Sequence, residues 1–129
     1  MDLFFIMIGG FLGTICRYQA GEWLQAENGF PLSTLIINLL GCFLLGWLHS
    51  FSGRKTKRNP RLVLVLGTGF IGSFTTFSAF SIETVMLAES GHIWLAILYV
   101  VISISFGLLF TVAGKVFSEF FALTKSDAV

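Results

Sequence analysis

Gly67-Thr68-Gly69-Phe70-Ile71-Gly72-Ser73-Phe74-Thr75-Thr76-Phe77-Ser78-Ala79-Phe80 lies inside an uncharged apolar segment running from Leu62 to Ile82. Three glycines and a cluster of hydroxyls stand where an ordinary membrane helix would carry leucines. In hydrocarbon, a helix broken at such a run releases backbone N–H and C=O groups. Each costs several kcal/mol, on the order of the penalty for an unsatisfied polar group, unless protein, water or an ion bonds it. A break of this kind belongs at a transport or ion site.

The rest of the chain has the same solvent. Of its 129 residues 55% are hydrophobic and 12% charged, and mean hydropathy is +0.86, too apolar for a soluble domain of this length. The charged residues bunch, leaving four apolar stretches over about 3–23, 32–51, 62–87 and 93–117. Each reaches the roughly 20 residues that cross a bilayer, the first with Arg17 near its end. The expected fold is therefore an all-α integral membrane protein: one domain of four transmembrane helices, the third broken mid-membrane. The first stretch lacks a basic leading region and a small-residue cleavage site, so it reads as a retained helix. The loops leave no room for a soluble domain, and no metal-ligand cluster or hydrolase, protease or nucleotide-binding motif is present. Cys16 and Cys42, inside spans, read as small buried hydrophobes.

Seven of the eight basic residues, Arg54, Lys55, Lys57, Arg58, Arg61, Lys115 and Lys125, fall on the side that holds both termini, and Arg17 falls opposite. The positive-inside rule then places both termini in the cytoplasm. Four helices enclose little volume, so a pathway is expected between two subunits rather than within one.

Polar side chains within the spans are the next signal, because burying them unpaired is unfavourable. Thr34, Asn38 and Gly41 share one face of the second helix. The Asn38 amide can face an anion, cap the broken helix or link two helices. Tyr99, Ser103 and Gly107 recur every four residues on the fourth helix, a stripe that by itself reads as packing before it reads as a pathway. Phe77 and Phe80 share a face just beyond the break, and the positive edge of an aromatic ring can meet an anion.

Three motifs then resemble one family. Gly72-Ser73-Phe74-Thr75-Thr76-Phe77-Ser78-Ala79-Phe80-Ser81-Ile82-Glu83 is similar to the third-helix signature GGxTTFSTFxxE of the bacterial Fluc/CrcB fluoride channels. Gly9-Gly10-Phe11-Leu12-Gly13-Thr14-Ile15-Cys16-Arg17-Tyr18 resembles its first-helix GGxxGxxxRY, and Asn38 to Gly46 its second-helix NxxGxFxxG. The resemblance implies an antiparallel, dual-topology dimer in a bacterial plasma membrane, with passive export of fluoride and one structural Na+ at the interface. It implies that the Gly72 and Thr75 carbonyls hold Na+, Gly72 letting the backbone turn. It also implies that Asn38, Phe77, Phe80, Thr34, Ser78, Tyr99 and Ser103 line the fluoride route and that Arg17 sits at its vestibule. Glu83 matches a family carboxylate whose place beside an anion route requires protonation or saturation by donors.

Ser73, Ala79 and Gly107 depart from the pattern, the last two by lacking a hydroxyl. Two other classes fit a short four-helix chain. A small multidrug-resistance transporter needs a carboxylate deep in the first span, which is absent between Leu3 and Cys16. A non-transporting membrane subunit would use the glycines for packing alone.

The one-sided charge argues that this chain inserts in one orientation and pairs with a related subunit inserted the other way. Reconstituted alone in liposomes, it is then expected to pass little fluoride by electrode assay. Efficient flux from the single chain would remove the requirement for a second gene product.

Overall fold

The computed structural model describes residues 2–24, 29–52 and 60–126. Arg54, Lys55, Lys57 and Arg58, on which much of the expected orientation rests, lie outside the described residues, as does the side chain of Lys125. Four helical spans are present and no strand occurs among the described residues. Helix α1 is Asp2–Trp23 and α2 is Leu32–Ser52. The third span is composite: α3 (Pro60–Leu64), a π-helical turn over Val65–Ile71, α4 (Gly72–Phe74) and, after a break, α5 (Phe77–Glu89). The fourth, α6 (Ile93–Ser126), runs well past the apolar stretch that defines it in sequence. Large apolar side chains from Leu3 and Phe11 on α1 to Leu108 and Phe120 on α6 are exposed on the single chain, as expected of a multi-pass membrane protein whose solvent is lipid.

Helices gain no hydrophobic free energy by associating in lipid, so packing depends on close backbone approach through small residues. Two helix pairs use this device. A Cβ on Gly46 of α2 would overlap the Thr111 carbonyl of α6, and one on Gly114 of α6 would overlap the Phe43 carbonyl of α2. These two helices make the most extensive contact in the fold. On the other side α1 lies against the π-helical turn: a Cβ on Gly13 would overlap the Phe70 carbonyl, and one on Gly69 would come within 2.8 Å of the Ile6 carbonyl. The glycine-rich run thus seats α1, while a hydrogen bond from the Gly72 N–H to the Gly67 carbonyl keeps the widened turn helical.

The termini of the spans agree with alternating directions. Arg61 Nε lies 2.9 Å from Asp2 Oδ1, joining the start of the third span to the start of α1 on one side of the membrane. At the other side α5 ends in a Schellman motif. Gly91, at φ 85°, donates to the Ala88 carbonyl and His92 to the Leu87 carbonyl. Beside that turn the buried core gathers Leu35, Leu87, Ala96 and Tyr99.

Gly46→Ala and Gly114→Ala are each expected to destabilise the fold by about 1–3 kcal/mol through overpacking. Gly21→Ala, where a Cβ meets nothing within 4 Å, should instead stabilise α1 by up to about 1 kcal/mol. Reversible unfolding in mixed micelles measures all three, and equal effects at the three sites would contradict the packing described.

Candidate functional site

The break in the third span falls at Thr75 and Thr76, whose backbones are extended at φ −77°, ψ 159° and φ −145°, ψ 126°. It does not fall at Gly72, which is helical at φ −62°, ψ −29°. The expectation that Gly72 lets the chain turn is corrected accordingly: any L-residue adopts that conformation, and the turn is made where another helix can bond the groups it releases.

That helix is α2. Asn38 Nδ2 donates to the Thr76 carbonyl and the Thr76 N–H donates to Asn38 Oδ1, both at 2.9 Å. One primary amide so replaces both bonds that an uninterrupted helix would give Thr76. A turn further along α2, Gly41 makes room for the Thr75 methyl, which a Cβ there would overlap. The Thr75 hydroxyl and N–H both return to the Ile71 carbonyl at 3.0 Å, closing α4. Thr76 then starts α5 as its N-cap: its hydroxyl accepts from the Ala79 N–H at 3.3 Å and lies 3.3 Å from Ser78 Oγ.

These side-chain bonds divert the donors that two carbonyls would otherwise use. In a continuous helix the Thr76 N–H would bond the Gly72 carbonyl and the Ala79 N–H the Thr75 carbonyl. Here the first goes to Asn38 and the second to the Thr76 hydroxyl. Gly72 and Thr75, the two positions expected to offer carbonyl oxygens, are thus among the carbonyls that the break leaves without helical donors, Ser73 and Phe74 being the others.

The break opens onto a groove of about 380 Å³ that brings together Asn38, Gly72, Thr75, Phe77, Phe80 and Ser103. Phe77 is 79% exposed on the single chain, and its ring centroid lies 5.8 Å from that of Phe80. Ser103 Oγ is buried without a hydrogen-bond partner. Asn38 spends one N–H on the clamp, leaving the second amide hydrogen for the groove.

Thr34 and Tyr99 are not in this groove. Thr34 Oγ1 donates to Glu83 Oε1 at 2.6 Å and Tyr99 Oη to Glu83 Oε2 at 2.9 Å, so each carboxylate oxygen carries a hydroxyl. Tyr99 is fully buried, wedged between Phe30 and Phe80 at centroid distances of 5.5 and 5.1 Å. Phe80 therefore touches both polar centres. Arg17, half-buried, lies one turn beyond Gly13, whose neighbour is Phe74. Ser78 is exposed within the N-cap of α5.

Thr76 lies outside the expected set of site residues, although a threonine immediately before an apolar helical run is a readable N-cap signal. The apolar walls of the groove, Cys42, Leu45, Ile71 and Ile104, carry no such signal.

A family model described as CrcB-like protein, Camphor Resistance (CrcB), matches residues 4–115. The chain is 49% identical over 107 residues to a fluoride-specific ion channel FluC of Oceanobacillus iheyensis, covering 83% of each chain. It is 43% identical over 119 residues to a fluoride-specific ion channel FluC 2 of Listeria innocua, covering 91% of this chain and 92% of that one. To a fluoride-specific ion channel FluC 1 of Desulfitobacterium hafniense it is 47% identical over 102 residues, covering 79% of this chain and 90% of that one.

Asn38→Ala leaves both the N–H and the C=O of Thr76 without the clamp. The fold is expected to lose about 2–4 kcal/mol, since each stranded group costs about 1–3. Hydrogen exchange at the Thr76 amide should accelerate by at least tenfold. Unchanged exchange there would show that the clamp does not hold the break.

Proposed function

The chain belongs to the CrcB family, and on that premise we propose that it is a fluoride-specific ion channel, not an enzyme, passing the anion out of the cell without energy coupling. The observation that carries the reading is the groove itself. A helix broken inside the membrane, an amide with a spare hydrogen, an unpartnered hydroxyl and two aromatic rings converge on it. The relatives' names supply the ion.

Fluoride is small and holds water tightly, so a route must replace its hydration shell with aligned donors. Asn38 and Ser103 offer an N–H and an O–H, while the edges of Phe77 and Phe80 offer positive quadrupole without a buried cation. The hydroxyls of Thr34 and Tyr99 take part through Glu83, and Ser78 through the Thr76 cap at the groove's edge. A carboxylate beside an anion route is tolerable when both its oxygens are engaged, as those of Glu83 are. Arg17 would raise the anion concentration at one mouth. Fluoride enters cells as neutral HF and is trapped as the anion, so the membrane potential alone drives it out.

A second subunit completes the route. The groove and Phe77 lie open on the surface of the single chain, which supports an antiparallel partner laid across them. The one-sided basic residues support a related chain of opposite bias in that role, in a bacterial plasma membrane with the termini of this chain in the cytoplasm. The diverted donors at Gly72 and Thr75 support a Na+ at the centre of such a dimer, because carbonyl oxygens are hard ligands suited to an alkali cation. That ion would be structural, tying two broken helices together.

Fluoride-electrode recording of efflux from proteoliposomes tests the reading, using this chain together with its oppositely biased partner where the single chain is silent. Phe77→Ile and Phe80→Ile should each lower fluoride efflux at least tenfold while leaving assembly intact by size-exclusion chromatography. Drug-coupled proton uptake without fluoride flux would favour a multidrug transporter instead, and neither activity a non-transporting subunit.

A further inference from the structure

The groove at the break has a neighbouring cavity toward the C-terminal ends of α2 and α6. Leu45 lines both that groove and a second cavity of about 380 Å³, whose walls include His49, Ser50, Thr111 and Lys115. On α2 the shared face carries Asn38, Cys42, Leu45 and His49, at steps of four, three and four. On α6 it carries Ser103, Thr111 and Lys115, at steps of eight and four. Both series hold one face of a helix. Gly107, between Ser103 and Thr111, is buried and lines neither cavity; a Cβ there would come 3.5 Å from Cys42 Sγ. The Thr111 hydroxyl is returned to its own helix, 2.9 Å from the Gly107 carbonyl. From Ser103 to Lys115 the face runs twelve residues, roughly 18 Å at 1.5 Å per residue, about half a bilayer.

The far end of this face is a membrane surface. With alternating spans it is the side where Asp2 meets Arg61. His49 and Lys115 are both exposed there. Among the described residues the nearby carboxylate is Glu119, one turn beyond Lys115, with Oε1 3.5 Å from Ser50 Oγ. Lys115 shares its cavity with Leu45 and Val112 as well as with His49, Ser50 and Thr111, and a lysine at the end of an anion groove raises the local anion concentration.

We propose that Lys115, with His49 beside it, forms a cationic mouth that collects fluoride at the terminus-bearing surface and feeds it along the α2–α6 face to Asn38 and Ser103. The inference rests on the fluoride-channel reading. It assigns the second mouth of the route to residues that lie outside all three sequence motifs, at the end opposite Arg17. Lys115 supplies charge, and the imidazole of His49 supplies a hydrogen-bond donor.

Charge and donor effects separate by salt. The Debye length is about 30 Å at 0.01 M and falls below about 8 Å beyond physiological ionic strength, so an exposed charge acts strongly only in dilute salt. Fluoride efflux is measured from proteoliposomes of the active channel, alone or with the oppositely biased subunit, at low and high ionic strength. Lys115→Gln should lower it about threefold or more at low ionic strength. The difference should vanish at high ionic strength. Lys115→Arg should retain wild-type flux and Lys115→Glu should fall below the glutamine variant. His49→Leu should lower flux at both salt levels.

A wild-type channel that conducts while Lys115→Gln matches it in dilute salt would overturn the mouth and leave the channel reading standing. Equal losses at both ionic strengths would also overturn it, since they mark structural damage rather than a lost charge. No fluoride flux from any wild-type preparation would overturn both.

Discussion

A polypeptide that leaves the helix inside hydrocarbon must bond the N–H and C=O groups it exposes, and here one asparagine does so for Thr76. Much of the fold serves that pairing. Asn38 must sit opposite the break in register, so α2 is seated against it by Gly41, which accommodates the Thr75 methyl. Helix α2 is in turn held by backbone contact with α6 at Gly46 and Gly114. The other flank of the third span is held by α1 through Gly9, Gly13 and Gly69. Each contact has a glycine where any side chain would force the helices apart.

The break also separates two polar centres. One is the groove with Asn38, Phe77, Phe80 and Ser103, open to whatever lies across the single chain. The other is Glu83, enclosed with Thr34 and Tyr99, its oxygens both occupied by hydroxyls. Phe80 stands between them, its ring tilted against Tyr99 and beside that of Phe77. Phe80 is thus the side chain that the two centres share.

Much of this was readable from residues alone. Charge gaps located the four spans, and the glycine and hydroxyl run located the irregular one, because both signals follow from the solvent and are local in sequence. The pairing of Asn38 with Gly41 on one face was legible from helical spacing, and both residues do face the break. Three uses of the Asn38 amide were open; capping the break is the one the geometry makes, with one hydrogen left over for the groove. Glu83 was an anomaly until two hydroxyls from different helices, 49 and 16 residues away in sequence, were found on it. No local pattern reports such separations.

The sequence by itself determined the solvent, the number of spans, the charge asymmetry and the family, since each is a sum over residues or a short ordered string. Only the tertiary structure decided where the third span breaks, which carbonyls lose their donors and which hydroxyls meet the groove rather than Glu83. The break could have followed the glycines, where the backbone is freest. It follows Asn38 instead, because in a membrane a turn is stable where its released hydrogen bonds are remade, and the group that remakes them belongs to another helix.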